Sequence, residues 1–184
     1  MALADAQRAM RLVRHRAEDF GIDPGRVGVI GFSAGGHVCA DLAARFAQPV
    51  YDAVDAADRL SARPTIAAPI YPVISMSLPV AHAASRANLL GDDPSPRLER
   101  LHSPQHNVPG DAPPHFLVHA EDDASVRVDN TLELRAALKA KNVPVETHLF
   151  THGGHGFGLQ KALAKPAGAW PELFVNWAAT NGLL

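Results

Sequence analysis

Four short apolar runs, separated by segments with helical periodicity, constrain the fold of this chain most strongly. The runs are residues 27–32 (VGVIGF), 65–74 (TIAAPIYPVI), 115–120 (HFLVHA) and 145–150 (VETHLF). The first is typical of a strand buried on both faces of a parallel sheet, and the last alternates apolar with polar residues. Strands that alternate with helices predict parallel βαβ units with helices on both faces. We therefore expect an α/β fold with a mostly parallel sheet of about four strands.

The segments between these runs predict helices and one irregular stretch. Residues 3–20 carry apolar side chains at three- and four-residue steps, and Gly21 follows as a stop signal. The other predicted helices cover residues 34–47, 130–141 and 171–179. Residues 75–114 are rich in proline, so we expect one short helix among loops there.

Length and charge limit the kind of protein. A chain of 184 residues predicts one domain, and 17 Lys and Arg against 19 Asp and Glu leave no basic surface for a nucleic acid. No run of about 18 apolar residues predicts a membrane span, and no signal peptide is recognisable, so we expect a cytoplasmic protein. The single cysteine, Cys39, lies in a predicted helix and is interpreted as a buried thiol.

A G-x-S-x-G motif stands where the first strand passes into a helix, with Ser33 between Gly31 and Gly35. Such a turn is predicted to leave no room for side chains two residues on either side of the serine, which lifts the hydroxyl above the sheet. The Ala34 N–H at the helix start then becomes a donor for a developing oxyanion. The alternative is that Ser33 only caps the helix.

Acidic residues and histidines follow the third and fourth strands. Glu121, Asp122 and Asp123 come after one strand, and His152 and His155 lie in THGGHGFG after the next. The order serine, acid, histidine at three strand ends is that of an α/β-hydrolase triad. These residues alone leave the choice among the three acids and between the two histidines open.

The remaining histidines and the single cysteine indicate no further chemistry. His37 and His119 are interpreted as structural residues, because one lies within a helix and the other ends a strand. No Cys and His spacing matches a metal site, and no cofactor or metal is expected.

Five segments together carry a family resemblance: IDPGRVGVIGFSAGGHV, IYPVISM, NLLGDDPSPRL, PPHFLVHAEDDASV and THGGHGFGL. They resemble the acetylxylan-esterase-like and feruloyl-esterase-like branch of the α/β-hydrolases over nearly the whole chain. By position, the resemblance implies that Asp123, from the D-x-x-V element, is the acid and that His155, from G-G-H-G-F, is the base. It also implies a serine esterase for short acyl esters, acetyl groups on carbohydrates such as xylan among them, that needs no cofactor.

The chain departs from that family in what precedes Ser33. The family places about a third of its domain before the first helix seen here, including a His-Gly-Gly loop with a second oxyanion N–H, and no such motif occurs upstream of Ser33. The expectation is a single domain over residues 1–184 that lacks this N-terminal third. The Ser33 strand would then be a sheet edge, and we expect a homo-oligomer through that edge or the first helix. Arg127 stands where the family commonly has proline.

Two alternative functions remain. A peptidase of the prolyl-oligopeptidase kind shows a similar order of serine, acid and histidine, although it usually needs an additional large domain. A non-catalytic module derived from a hydrolase would keep the motif without turnover, and a fluorophosphonate that failed to label Ser33 would indicate it.

Overall fold

The computed structural model describes residues 2–184 and centres on one parallel sheet of four strands. The strands are β1 (Val29–Phe32), β2 (Ala67–Ile70), β3 (His115–Ala120) and β4 (Val145–Phe150), adjacent in that order. Val29 lies opposite Ala67 in the first pair, and His115 lies opposite Val145 in the last. The predicted α/β fold is confirmed.

Seven helices accompany the sheet within residues 2–184. They are α1 (Ala2–His15), α2 (Ala17–Phe20), α3 (Ala34–Arg45), α4 (Ala83–Leu90), α5 (Pro96–Leu101), α6 (Asp129–Ala140) and α7 (Trp170–Thr180). None of them combines the length and the apolar character needed to cross a bilayer. A cytoplasmic location stays a prediction.

The proline-rich stretch holds more regular structure than expected, because residues 75–114 contain both α4 and α5. Each begins with a side-chain cap: a ring nitrogen of His82 accepts the Ser85 N–H, and the Ser95 hydroxyl accepts the Leu98 N–H. Pro96 occupies the first turn of α5, where its missing N–H costs no hydrogen bond. The proline that indicated a loop therefore starts a helix.

The second strand is shorter than predicted and ends at Ile70. Tyr71 follows with a φ of +36°, which no strand residue adopts, and Pro72 has no N–H for a ladder. Residues 71–74 therefore leave the sheet and pass beside Ser33, the residue that follows β1. The Val73 N–H donates a hydrogen bond to the Ser33 carbonyl there.

The two faces of the sheet pack against different helices. On one face Ile70, Phe116 and Val118 pack in a buried cluster with Trp170 and Trp177 of α7. On the other face Leu117 packs with residues of α3 and α6, including Ala40, Leu134 and Leu138. Cys39 is also buried, as predicted, and burial raises the pKa of its thiol to about 12.

Strand β1 lies at an edge of the sheet within residues 2–184. Ile30 and Phe32 on this strand are 43% and 38% exposed, so apolar surface adjoins an open ladder. Association of two copies through this edge or the first helix stays a prediction. Light scattering at micromolar concentration is expected to give a mass above 19.6 kDa, and a strictly monomeric mass would contradict it.

Because two histidines are buried, we expect the free energy of unfolding to fall in mild acid. Burial lowers the pKa of His37 and of His115 from 6.5 to about 4. Below pH 6.5 the unfolded chain takes up protons that the folded chain does not, so stability present at neutral pH is lost between pH 6.5 and 4. Each histidine contributes roughly 2–3 kcal/mol to that loss.

Urea unfolding at pH 7 and pH 4.5 measures this effect. The urea concentration at the unfolding midpoint is expected to be lower at pH 4.5 than at pH 7. This difference should be smaller in His115→Gln, because the glutamine side chain takes up no proton. Equal drops in the variant and the unaltered protein would contradict the assignment for His115.

Candidate active site

Ser33 occupies a strained turn between β1 and α3. Its φ is +55° and its ψ is −118°, a conformation that non-glycine residues rarely adopt. Three main-chain hydrogen bonds hold it there: the Ser33 N–H donates to the Ile70 carbonyl, and the Ser33 carbonyl accepts the N–H groups of Val73 and His37. The hydroxyl makes no capping bond to α3. Ser33 therefore stands at the N-cap position of α3, but its side chain does not act as a cap.

The glycines around Ser33 are not equally constrained. A Cβ on Gly31 would overlap the Gly35 carbonyl oxygen and lie 2.6 Å from its carbon, so this glycine lets α3 start close against β1. A Cβ on Gly35 would meet nothing within 4 Å, and the expectation that both glycines are needed for space is wrong for this one. Gly36 is the second crowded position, where a Cβ would lie 2.8 Å from Pro72.

We expect Gly31→Ala to disrupt this turn. The clash is with main-chain atoms that cannot rotate away, so the variant should lose about 1–3 kcal/mol of stability or more, together with most of any activity that depends on Ser33. Gly35→Ala is the matched control and should melt at an unchanged or higher temperature, because alanine favours the helix. Thermal melts of both variants test this, and equal melting temperatures would contradict it.

Three side chains from three loops form a continuous chain of hydrogen bonds. Ser33 Oγ lies 2.8 Å from His155 Nε2, and His155 Nδ1 lies 2.6 Å from Asp123 Oδ2. The histidine is oriented with Nδ1–H towards the carboxylate, which leaves Nε2 as the acceptor for the serine proton. Of the candidates that followed β3 and β4, the structure brings Asp123 and His155 to Ser33.

Asp123 is held as an ionised carboxylate. Its Oδ1 accepts the N–H groups of Ser125 and Val126 at 2.9 and 2.8 Å, and its side chain is fully buried. Burial acts to raise the pKa of Asp123, but hydrogen bonds, the largest from His119 and the next from the Val126 N–H, outweigh it. The pKa is therefore well below its ordinary value, and the carboxylate faces His155 with its full negative charge.

The neighbouring acid, Asp122, points the other way and has a different contact. Its Oδ1 accepts the N–H groups of Gly153 and Gly154 at 2.8 and 2.7 Å, and these bonds lower its pKa. It therefore fastens the loop that carries His155. Glu121 is exposed, and the His152 side chain is 74% exposed with its Nδ1 3.6 Å from Asp122, so neither lies in the hydrogen-bonded chain.

Tyr71 is a site residue that the sequence analysis missed. Its hydroxyl accepts the Gly158 N–H at 3.2 Å, and its ring packs edge-on to His155 with 5.2 Å between centroids. Trp170 donates to the Gly158 carbonyl at 2.9 Å, and Lys165 donates to the Gly153 carbonyl at 2.8 Å. The histidine loop is thus fixed at both ends. Tyr71 lies in IYPVISM, one of the segments that carry the family resemblance, but nothing in that segment indicated a contact with the histidine loop.

A cavity of about 240 Å³ adjoins the residue after the serine. Ala34, the first residue of α3, lines it together with Met76 and with Ser85 and Leu89 of α4. As the first residue of a helix, Ala34 has an N–H that no helical carbonyl accepts. Arg86 holds α4 in place by donating to the Met76 carbonyl at 3.0 Å and by pairing with Glu99.

The remaining charged groups do not form a metal site. Within residues 2–184, no cluster of three or more His, Cys, Asp or Glu side chains is arranged to hold an ion.

A parallel sheet with a strained serine between a strand and a helix, and with an acid and a histidine on the next two loops, defines the α/β-hydrolase class. The chain belongs to the BD-FAE family, whose sequence model matches residues 1–138. The resemblance expected from the sequence is confirmed.

Similar proteins in other organisms agree with this class. The chain is 35% identical to endo-1,4-beta-xylanase B of Butyrivibrio fibrisolvens and 31% identical to an acetylxylan esterase of Xylanibacter ruminicola, over 96% and 85% of its length. It spans only 26% and 31% of those relatives. A crystal structure of an acetyl ester-xyloside bifunctional hydrolase from Caldicellulosiruptor lactoaceticus matches with a TM-score of 0.91 and 40% identity, over 99% of this chain and 66% of that one.

Proposed function

We propose that this chain is a serine ester hydrolase with Ser33 as nucleophile, His155 as general base and acid, and Asp123 as the group that orients the histidine. The observation that carries the proposal is the unbroken path from Ser33 Oγ through both nitrogens of His155 to the buried Asp123 carboxylate. A serine hydroxyl becomes a competent nucleophile only beside such a base.

The reaction follows from the positions of these groups. His155 Nε2 takes the hydroxyl proton as Ser33 Oγ bonds to the ester carbonyl carbon, and the carbonyl oxygen gains the negative charge. The Ala34 N–H is the donor at the helix start for that oxyanion. His155 then gives its proton to the departing alkoxide, which leaves an acyl-serine. Water then attacks the acyl carbon as His155 Nε2 takes one of its protons. His155 returns that proton to Ser33 Oγ as the acyl–oxygen bond breaks, which releases the acid and regenerates the serine hydroxyl.

Asp123 contributes through its charge and its geometry. The imidazolium that forms in each step lies against an ionised carboxylate whose other oxygen is held by two main-chain N–H groups. No proton needs to pass to Asp123, because its low pKa keeps it ionised throughout.

We propose short acyl esters as substrates, acetyl esters on carbohydrates among them. The cavity of about 240 Å³ beside Ala34, bounded by Met76 and by helix α4, is the candidate place for the acyl group. The names of the Xylanibacter and Caldicellulosiruptor proteins support acetyl groups on xylan-type carbohydrates for this chain as well.

Hydrolysis of p-nitrophenyl acetate, butyrate and octanoate tests the acyl preference, and acetate release from acetylated xylo-oligosaccharides tests the alcohol. We expect kcat/KM to fall steadily with chain length and acetate to be released from the oligosaccharides. Cleavage of a prolyl p-nitroanilide with no ester hydrolysis would instead support a peptidase. Folded protein inactive on all of these would contradict the proposal.

A further inference from the structure

His119 at the end of β3 is a second histidine in contact with Asp123. Its side chain is fully buried, and Nε2 lies 2.9 Å from the Val126 carbonyl oxygen and 3.3 Å from Asp123 Oδ2. On the far side of the ring, Nδ1 lies 2.7 Å from Thr131 Oγ1, in the first turn of α6. The same oxygen, Asp123 Oδ2, also accepts the hydrogen bond from His155.

These partners select one tautomer of His119. A carbonyl oxygen and a carboxylate oxygen both face Nε2, and both are acceptors only, so Nε2 carries the proton. Nδ1 is then an acceptor, and the Thr131 hydroxyl, which can donate, satisfies it. Both nitrogens of the fully buried ring are then hydrogen-bonded.

The contacts of His119 close the turn that presents the acid. Asp123 Oδ1 accepts the Val126 N–H, and the Val126 carbonyl accepts the His119 N–H. The ring therefore contacts both Asp123 and Val126, which are also bonded to each other. Thr131 ties this arrangement to α6. Without the ring, the carboxylate would keep its main-chain donors but would lose the contact that stops Oδ2 from moving away from His155.

We propose that His119 is a positioning residue, which holds Asp123 and its turn so that Oδ2 stays aligned with Nδ1 of His155. It does not touch substrate, and it acts through Asp123. The inference rests on the proposed esterase function, since its effect on turnover requires Ser33 and His155 to react.

Three variants test this role. His119→Leu removes all three polar contacts of the ring, His119→Gln keeps an N–H donor that can reach Asp123, and Thr131→Val removes the hydroxyl that donates to Nδ1 while leaving His119 in place. We expect kcat on p-nitrophenyl acetate to fall about 10- to 100-fold in His119→Leu, with KM little changed. His119→Gln should restore most of the activity, and Thr131→Val should show a smaller loss in the same direction.

The pH profile separates positioning from a general loss of folded protein. If Oδ2 drifts from His155, the imidazolium is less stabilised, so the acid limb of kcat/KM should move to lower pH by about half a pH unit or more in His119→Leu. Fewer folded molecules would lower the whole profile without moving that limb. If His119→Leu does not fold, the same shift is sought in Thr131→Val.

A readout without turnover keeps this test apart from the test of the function. The His155 Nδ1 proton, bonded to a carboxylate, is expected to give a low-field proton NMR resonance that survives in His119→Gln and broadens or moves upfield in His119→Leu. Loss of that signal with no esterase activity in any form would support the positioning role and reject the esterase. A folded His119→Leu with an unchanged resonance, acid limb and kcat would overturn the role of His119.

Discussion

Replacing Ser33 with alanine is expected to lower kcat on p-nitrophenyl acetate by about 10⁴- to 10⁶-fold. The hydroxyl is the only group in the hydrogen-bonded chain that can form the acyl intermediate, and His155 would be left facing a methyl group. Alanine also relieves none of the strain at a φ of +55°, so the fold should change little in stability.

Ser61→Ala is the matched control for Ser33→Ala. Ser61 is exposed, and its hydroxyl accepts only the Arg63 N–H among the described residues, so the variant should retain full activity. Steady-state kinetics on both proteins, purified in the same way, give the comparison. Similar rates for Ser33→Ala and the unaltered protein would mean that the hydrolysis observed is not carried out by Ser33.

Asp123→Asn is expected to lower kcat by about 10⁴-fold. The amide can still accept the Ser125 and Val126 N–H groups through its oxygen, so its NH₂ replaces Oδ2 in front of His155. A donor there favours the tautomer of His155 with its proton on Nε2, which cannot accept the serine proton.

Asp122→Asn separates the two adjacent acids. Its oxygen can still accept the N–H groups of Gly153 and Gly154, so kcat should fall by only a few-fold. Kinetics of the two variants, with melting temperatures as a check on folding, test the assignment. An equal or larger loss in Asp122→Asn would show that the two carboxylates have been assigned to the wrong roles.

The sheet could be predicted because its first three strands lie in nearly continuous apolar runs and its fourth alternates apolar with polar residues. Burial on both faces accounts for the apolar runs of β2 and β3, whereas β1 and β4 are partly exposed. The predicted bounds of β3 and β4 are those of the structure. The second strand was predicted too long, since its apolar run continues past Tyr71, where a positive φ turns the chain away. Apolar character indicates burial, but it does not show where a backbone leaves the ladder.

The site was harder to predict where neighbouring residues have the same chemistry. Asp122 and Asp123 differ only in direction: one faces the glycines of the histidine loop, and the other faces the imidazole. Adjacent residues in a turn point different ways, and the turn geometry is set by main-chain contacts that the sequence does not display. The family resemblance pointed to Asp123, and the residues alone did not.

The proposed role of His119 could not be predicted from the sequence either, because it too depends on a tertiary contact. As the end of an apolar strand it was interpreted as a structural residue, and it is indeed fully buried. Its contact with Asp123 arises because the chain turns back after β3 and places the carboxylate beside the Nε2 atom of the ring. A histidine four residues before an acid is a weak signal until that turn is known.

Covalent labelling with a fluorophosphonate, with the modified residue located by peptide mass spectrometry, tests directly whether Ser33 is the nucleophile. We expect one adduct per chain, on Ser33, formed in step with the loss of esterase activity and absent from Ser33→Ala. Labelling that proceeds equally in Ser33→Ala, or folded protein that stays unlabelled, would contradict the assignment of Ser33 as the nucleophile.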